Sequence, residues 1–383
     1  MQGKLSAGMT LPQSAYARRV LDQLTVLQEE FRDGLNNLSQ EILISQSDLA
    51  KSNETVQLLS KTSWLRDEGQ HGGGWRWGTV DQGILNRGSL NISSVHYDDL
   101  PDKKLASATA LSCIVHPSSP VAPSLHTHIS WTEMRNGKGG GWRLMADLNP
   151  STPFESDRKY FIQEIDLALS SLPKGWLEYA KAQGDRYFKI PVLNRHRGVA
   201  HYYVEQWKSG DNEADLALAI KFGKKVIQTY LEIIAQAFRD HQKRDVNAEQ
   251  QLAYHTTYFL QVLTLDRGTS SGLLVHQQND VGIMGSLPQR VSPSLLKSWI
   301  GLLPQPQDKL LTHLIAVLPP ANNVIGDLES CEVTNETRLA LAQVVRTHYQ
   351  EHPEALALQA RGDILPPTVA NHSSESNDIA KSI

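Results

Sequence analysis

Residues 124–150 read SLHTHISWTEMRNGKGGGWRLMADLNP. Side chains alternate across a pleated strand, so this segment sets His126, His128 and Ser130 on one face. Leu125, Thr127, Ile129 and Trp131 fall on the other. After a Gly-rich turn (Gly137, Gly139, Gly140, Gly141), Arg143, Met145 and Asp147 share one side, with Leu144 and Ala146 opposite. A face carrying two imidazoles, a guanidinium and a carboxylate does not build core. It meets solvent, or it lines a polar pocket.

The segments around this hairpin also read as β: 90–97, 108–116, 124–133 and 141–147. Their short polar or Pro-rich links favour antiparallel neighbours, because a parallel crossover needs a dozen or more residues. Upstream, Ser14 caps a helix with Val20, Leu24, Leu27, Phe31, Leu35 and Leu38 at helical spacing, and an amphipathic stretch continues to Lys61. Glycine-rich 66–78 reads as a loop, serving a site or only turning at the surface. Helices are expected over 155–170, 173–187 and 212–240, and further strands over 199–207 and 256–266. Contiguous β followed by helices with stray strands is α+β: a large, mainly antiparallel sheet with helices packed against it.

Bulk properties narrow the function. The 383 residues, 40% hydrophobic and 20% charged, allow a substantial core. A net charge of −4 provides no basic field for nucleic acid. No apolar run is long enough to span a membrane or serve as a signal peptide, so the expected location is the cytoplasm. Cys113 and Cys331 fit no metal or redox spacing.

If 108–116 pairs beside 124–133, then Ser112, His116, His126, His128, Ser130, Arg143 and Asp147 converge on one surface. A carboxylate near an arginine is held ionised and accepts hydrogen bonds, and histidine passes protons near neutral pH. The alternative is a set of satisfied core histidines. His-x-His also suits a metal, two imidazoles lying about 7 Å apart along a strand, with Asp147 as the carboxylate that completes the set; His116, His126 and His128 are the other candidate trio. His96 at a strand end faces this pocket or solvent. Asp266 and Arg267 sit in LDRGTSSGL (265–273), read as a tight turn with a local ion pair or as a binding loop.

These segments resemble the oxygen-dependent coproporphyrinogen III oxidases of haem biosynthesis. NISSVHYDDLP is similar to that family's N-x-S-x-VHG-x-x-P, SCIVHPSSPVAPSLHTH to S-x-V-x-HP-x-NP-x-x-P-x-x-H, and ADLNP to DLTP. RGVAHYY, LDRGTSSGL and IMGSLP resemble RGxGGxFFD, DRGTxFGL and LMSLP in the same order. The likeness spans roughly 15–290. It implies a family domain over 1–290; outside it, the chain reads as a helical extension over 291–365 and, from its polar, serine-rich composition, a disordered tail over 366–383. It further implies a helix-sandwiched sheet, a homodimer, and O2-dependent conversion of propionate side chains to vinyl groups with release of CO2 and peroxide. Neither an organic cofactor nor an obligatory metal is implied. By position, Asp147 matches the aspartate said to take a pyrrole N–H proton, and His126 matches the proton donor. Ser112 and His116 match substrate or metal contacts.

The departures are specific. The family's Asn-x-Arg after the histidine is His128 and Ser130 here; its Gly-Gly-Arg is Gln277, Gln278 and Asn279; its Gly-Arg-Tyr-Val-Glu is Thr256 to Leu260. Three carboxylate-binding arginines are thus replaced by uncharged groups, a loss of roughly 4–9 kcal/mol, or about three to six decades in affinity. Arg143, Leu144 and Met145 replace Gly-Gly-Gly, which narrows the expected cavity. The reading is an oxidase or oxidative decarboxylase acting on a smaller substrate, with Asp147 and His126 catalytic. Ser112, His116, His128, Ser130, Arg143, Arg267 and His96 would then bind substrate. Asp147→Asn is expected to abolish turnover with little change in melting temperature. The alternatives are the full coproporphyrinogen reaction with Arg76, Arg87, Arg143 and Arg267 as anchors, a metal-dependent oxygenase, and a non-catalytic binding protein.

Overall fold

The computed structural model describes residues 8–46, 58–80, 83–135, 140–276, 279–364 and 368–372. Helix α1 (Ala15–Gln46) leads into strands β1 (Leu59–Leu65), β2 (Gly72–Thr79), β3 (Leu85–His96), β4 (Leu105–Pro117), β5 (Ser124–Met134) and β6 (Gly141–Asn149). Helices α2 (Glu155–Ala168) and α3 (Trp176–Tyr187) follow. A short ladder of β7 (Lys189–Ile190) and β8 (Arg195–His196) then precedes β9 (Ala200–Trp207). The large sheet has the order β1-β2-β3-β4-β5-β6-β9 and is antiparallel throughout. It is the expected α+β architecture.

Alternation decides which face is core. Along β4, Ser107, Thr109, Leu111, Cys113 and Val115 are buried, while Ala108, Ala110, Ser112 and Ile114 between them are only partly so. Leu125, Ile129 and Trp131 of β5 join the first set in a core with α1, α2 and the long helix α4 (Asn212–Arg239). Asp211 caps α4 by accepting from the Glu213 and Ala214 amides.

The other face is covered by α5 (Ala248–Thr264), α6 (Arg267–Val275), α7 (Asp280–Ile283), α8 (Pro293–Trp299), α9 (Gln307–Ala316) and α10 (Asn335–Glu351). Strands β10 (Arg290–Val291), β11 (Asn323–Ile325) and β12 (Leu328–Glu332) form a small sheet there, and α11 (Thr368–Asn371) ends the described residues. A second core joins Tyr258, Leu263 and Leu273 to Leu296, Leu310, Leu341 and Ala355. The boundary expected at residue 290 falls inside this shared core.

Three expectations are corrected. Residues 256–266 form no strand: Thr256 to Thr264 lie in α5 and are buried continuously, which erases the helical periodicity. Thr256, Thr257 and Thr264 return their hydroxyls to the carbonyls four residues back, so their β-branched character is accommodated in a helix. The glycine-rich run is no loop beyond His71, because Gly72–Gly74 lie in β2. Gly72 has φ +90°, and a Cβ there would meet the Ser94 carbonyl oxygen at 2.1 Å, so close backbone approach demands glycine. The described part of α1 ends at Gln46, residues 47–57 lie outside the described residues, and Leu59–Lys61 open β1 rather than continuing a helix. Of the expected tail, 368–371 form a helical turn, and 366–367 and 373–383 lie outside the described residues.

Candidate active site

Cross-strand register assembles the site. Ser112 pairs with His128, Ile114 with His126, and Ala110 with Ser130. On the next ladder His126 pairs with Asp147, His128 with Met145, and Ser130 with Arg143. On the last, Met145 pairs with Tyr203 and Asp147 with His201. Side chains directly opposite on one face lie about 5 Å apart, so five of the seven residues read as converging are brought together. Ser112, His126, His128, Ser130 and Arg143 line a cavity of about 310 Å³, small for a ligand site. Its floor runs from Trp64 on β1 to Tyr203 and Glu205 on β9, with Ser89, Ser93, Ala108 and Ala110 as small side chains between. Residues of α6, with His276, Asn279 and Ile283, cover it.

Asp147 is fully buried beneath this floor. One carboxylate oxygen lies 2.9 Å from His126 Nδ1; the other accepts from Arg197 at 2.8 Å and from Asn149 Nδ2 at 2.5 Å. Burial alone would raise its pKa, but the Arg197 guanidinium, with His126, outweighs that and holds it down at about 2. Arg197 is itself buried, packed over the Phe188 and Tyr258 rings, and its carbonyl accepts from His201 Nε2 at 2.5 Å. Gly198 sets it there: φ is +80°, and a Cβ would strike Asn149 Oδ1 at 2.4 Å. Asp147 and His126 are therefore together, as expected, but Asp147 is sealed from the cavity and has negligible basicity. The role of proton acceptor from substrate, implied by resemblance, does not fit this geometry. Asp147 orients His126, leaving Nε2 of that ring for the cavity.

The relocated charge of Arg143 is neutralised. Its Nε lies 2.6 Å from Glu205 Oε2, and Glu205 also accepts from the Tyr203 hydroxyl. Burial disfavours the guanidinium's charge, yet Glu205 keeps it protonated. Met145 fills the floor beside it, whereas Leu144 turns into the opposite core, so two side chains rather than three narrow the cavity. His128 is pushed well below its usual pKa by burial and then by Arg143, which leaves it a neutral hydrogen-bonding group, 3.0 Å from Ser130 Oγ.

Arg267 lines the cavity with Asp266. These two form no local ion pair in a tight turn; Asp266 caps α6 by accepting from the Thr269 amide at 2.7 Å, and takes the Tyr187 hydroxyl at 2.8 Å.

Two expected ligands sit elsewhere. His116 is buried against Tyr258 and His255, with Nδ1 2.9 Å from Ser124 Oγ, outside the cavity wall. His96 is buried against the N-terminal segment, Nε2 3.0 Å from Thr10 Oγ1 and Nδ1 2.8 Å from Asp98. Both stand near strand ends, where α5 or the N-terminus covers the face. The trio His116, His126 and His128 is therefore not assembled for a metal. Among the described residues no three His, Cys, Asp or Glu side chains are gathered as a metal site. Of the four alternative anchors, Arg143 and Arg267 reach the cavity; Arg76 and Arg87 do not line it.

A sealed Asp–His pair on a seven-stranded antiparallel sheet can be compared with known proteins. The family model described as coproporphyrinogen III oxidase matches residues 31–295. The chain belongs to the coproporphyrinogen III oxidase family. The oxygen-dependent coproporphyrinogen-III oxidase of Rickettsia bellii (strain OSU 85-389) is 29% identical over 246 residues, covering 60% of this chain and 84% of the relative. That of Rickettsia akari (strain Hartford) is 28% identical over 245 residues, with the same coverages. Among the described residues of this coproporphyrinogen III oxidase family member, no helix is long and apolar enough to cross a membrane.

Sequence reading missed Arg197, Glu205, Asn149 and Tyr187. Arg197 stands in the quoted RGVAHYY segment, and alternation along 199–207 already put Tyr203 and Glu205 on one face. What was lacking was the pairing of β9 beside β6.

Proposed function

We propose that the protein is an oxygen-dependent oxidase that decarboxylates a propionate side chain on an electron-rich pyrrole-type ring, with fewer carboxylates than a tetrapyrrole carries. One observation supports the smaller substrate: among the described residues, the arginines that line the cavity, Arg143 and Arg267, share its wall with Glu205 and Asp266. Two positive and two negative side chains give a tetra-anion no net attraction, and desolvating four carboxylates without paired cations is unfavourable.

The reaction balances as R–CH2CH2–COO⁻ + O2 + H⁺ → R–CH=CH2 + CO2 + H2O2. The bond from the propionate to its carboxylate breaks, with one propionate C–H bond, and O2 takes the two electrons. In this reading His126 Nε2 exchanges the proton with the ring N–H, while Asp147 and Arg197 hold the imidazole in place. O2 is the oxidant, no resident organic cofactor or metal is required, and the enzyme works as a cytoplasmic homodimer.

The test is O2 consumption and peroxide formation by chelator-treated protein, given coproporphyrinogen III or the single-ring pyrrole-3-propionate. Turnover of the single ring at least tenfold more efficient in kcat/KM is expected. Preference for coproporphyrinogen III would overturn the smaller-substrate reading and leave the family reaction. Peroxide formation that requires an added metal would overturn the metal-free one.

A further inference from the structure

The stretch that ends the described residues lies beyond the family match, yet it reaches the cavity: Asn371 and His372 are part of its wall. This is an anchored contact. Lys103 Nζ donates to the His372 carbonyl at 2.7 Å, and the Tyr97 hydroxyl lies 2.7 Å from His372 Nδ1. Tyr97 is buried, and its ring packs edge-on against the imidazole at 5.7 Å. Across the cavity end stands His276, its ring centre 5.5 Å from that of His372 and 5.8 Å from Trp64.

The hydrogen bond from Arg66 fixes which ring nitrogen of His276 carries the proton. Arg66 can only donate, and its Nη1 lies 2.7 Å from His276 Nδ1, so Nδ1 accepts and the proton sits on Nε2. The Tyr97 phenol, which burial pushes up to about 12, stays protonated 2.7 Å from His372 Nδ1 and can donate there, the arrangement that places the His372 proton on Nε2. Burial, followed by Arg66, lowers the His276 pKa to about 3. Burial, followed by His276, also lowers the His372 pKa, so both imidazoles are neutral where they line the cavity, each able to offer an Nε2–H.

We infer that His276 and His372 form a two-donor site for a carboxylate or carbonyl oxygen of the substrate, with His372 supplied by the segment beyond the family domain. Such a site recognises an anion without adding charge, which suits a cavity whose arginines are balanced by acids. It makes the C-terminal segment a determinant of specificity, with Tyr97 and Lys103 as its positioning residues. The inference rests on this cavity being the substrate site.

Its test separates it from the proposed reaction by reading binding alone. Calorimetric titration of the whole protein compares pyrrole-3-propionate with 3-propylpyrrole, which lacks the oxygens. The acid is expected to bind at least tenfold tighter, the range of one charge-assisted hydrogen bond. His372→Ala should remove most of that difference. His372→Gln, whose amide nitrogen can replace Nε2, should restore it, and Tyr97→Phe should weaken it severalfold. Equal binding of the two probes to wild type, or an undiminished preference in a folded His372→Ala protein, would overturn the inference. Failure of turnover with normal, His372-dependent binding would refute the proposed reaction and leave this site standing.

Discussion

Asp147→Asn is expected to destabilise the protein, contrary to the small effect that a pocket-facing carboxylate would imply. Asp147 is fully buried and the Arg197 side chain is 3% exposed, so the substitution leaves a guanidinium in the interior without its counter-charge. Breaking a buried pair from one side costs about 3–5 kcal/mol. At roughly 2 °C per kcal/mol for a protein of this size, the melting temperature falls by roughly 6–10 °C. The sign with pH follows from the lowered carboxyl. Asp147 titrates near 2 in the fold against 3.8 when unperturbed, so its stabilisation is complete above pH 3.8 and lost as pH falls towards 2. The difference of nearly two pH units corresponds to about 2 kcal/mol. Urea unfolding of wild type, Asp147→Asn, Arg197→Met and the Asp147→Leu/Arg197→Met double variant, at pH 7 and at pH 3, measures both effects. The double variant should recover most of the loss at pH 7, and the gap between wild type and Asp147→Asn should narrow at pH 3. An Asp147→Asn protein within about 1 kcal/mol of wild type at pH 7 would refute a sealed ion pair and return Asp147 to the cavity.

Further outcomes follow from the same geometry. His126→Gln should lower kcat by roughly 10²–10⁴ while leaving urea stability nearly intact, since this ring is partly exposed and Asp147 keeps Arg197; unchanged kcat would remove His126 from proton transfer. Glu205→Gln should release Arg143 and lower KM for coproporphyrinogen III relative to pyrrole-3-propionate; an unchanged ratio would count against charge balance as the determinant. Gly184→Ala should destabilise by about 1–3 kcal/mol in urea, because a Cβ on α3 would meet the backbone of His201 and Tyr202 at 2.7–2.8 Å, overriding alanine's helix preference. Cys113, whose buried thiol is raised far above its usual pKa, should resist Ellman's reagent until the protein unfolds.

The alternation in SLHTHISWTE and GWRLMAD determined the two faces of the sheet. A pleat has period two, and a one-residue slip would have buried His126 and His128 in place of Leu125 and Ile129. Short links determined antiparallel pairing, and so the encounter of His126 with Asp147. Other features had no local signature. Thr256 to Thr264 are strand-like in composition, and burial on all sides of α5 removes the periodicity that marks a helix. Glycines at 72–74 signal a loop until β3 is laid against them. Most of all, tertiary structure decided what the charges do. Arg197 seals Asp147 from 50 residues away and Glu205 cancels Arg143 from 62, because β9 lies beside β6. Sequence counts charges, but their pKa values and reach depend on partners and solvent exposure that exist only after the polypeptide has packed.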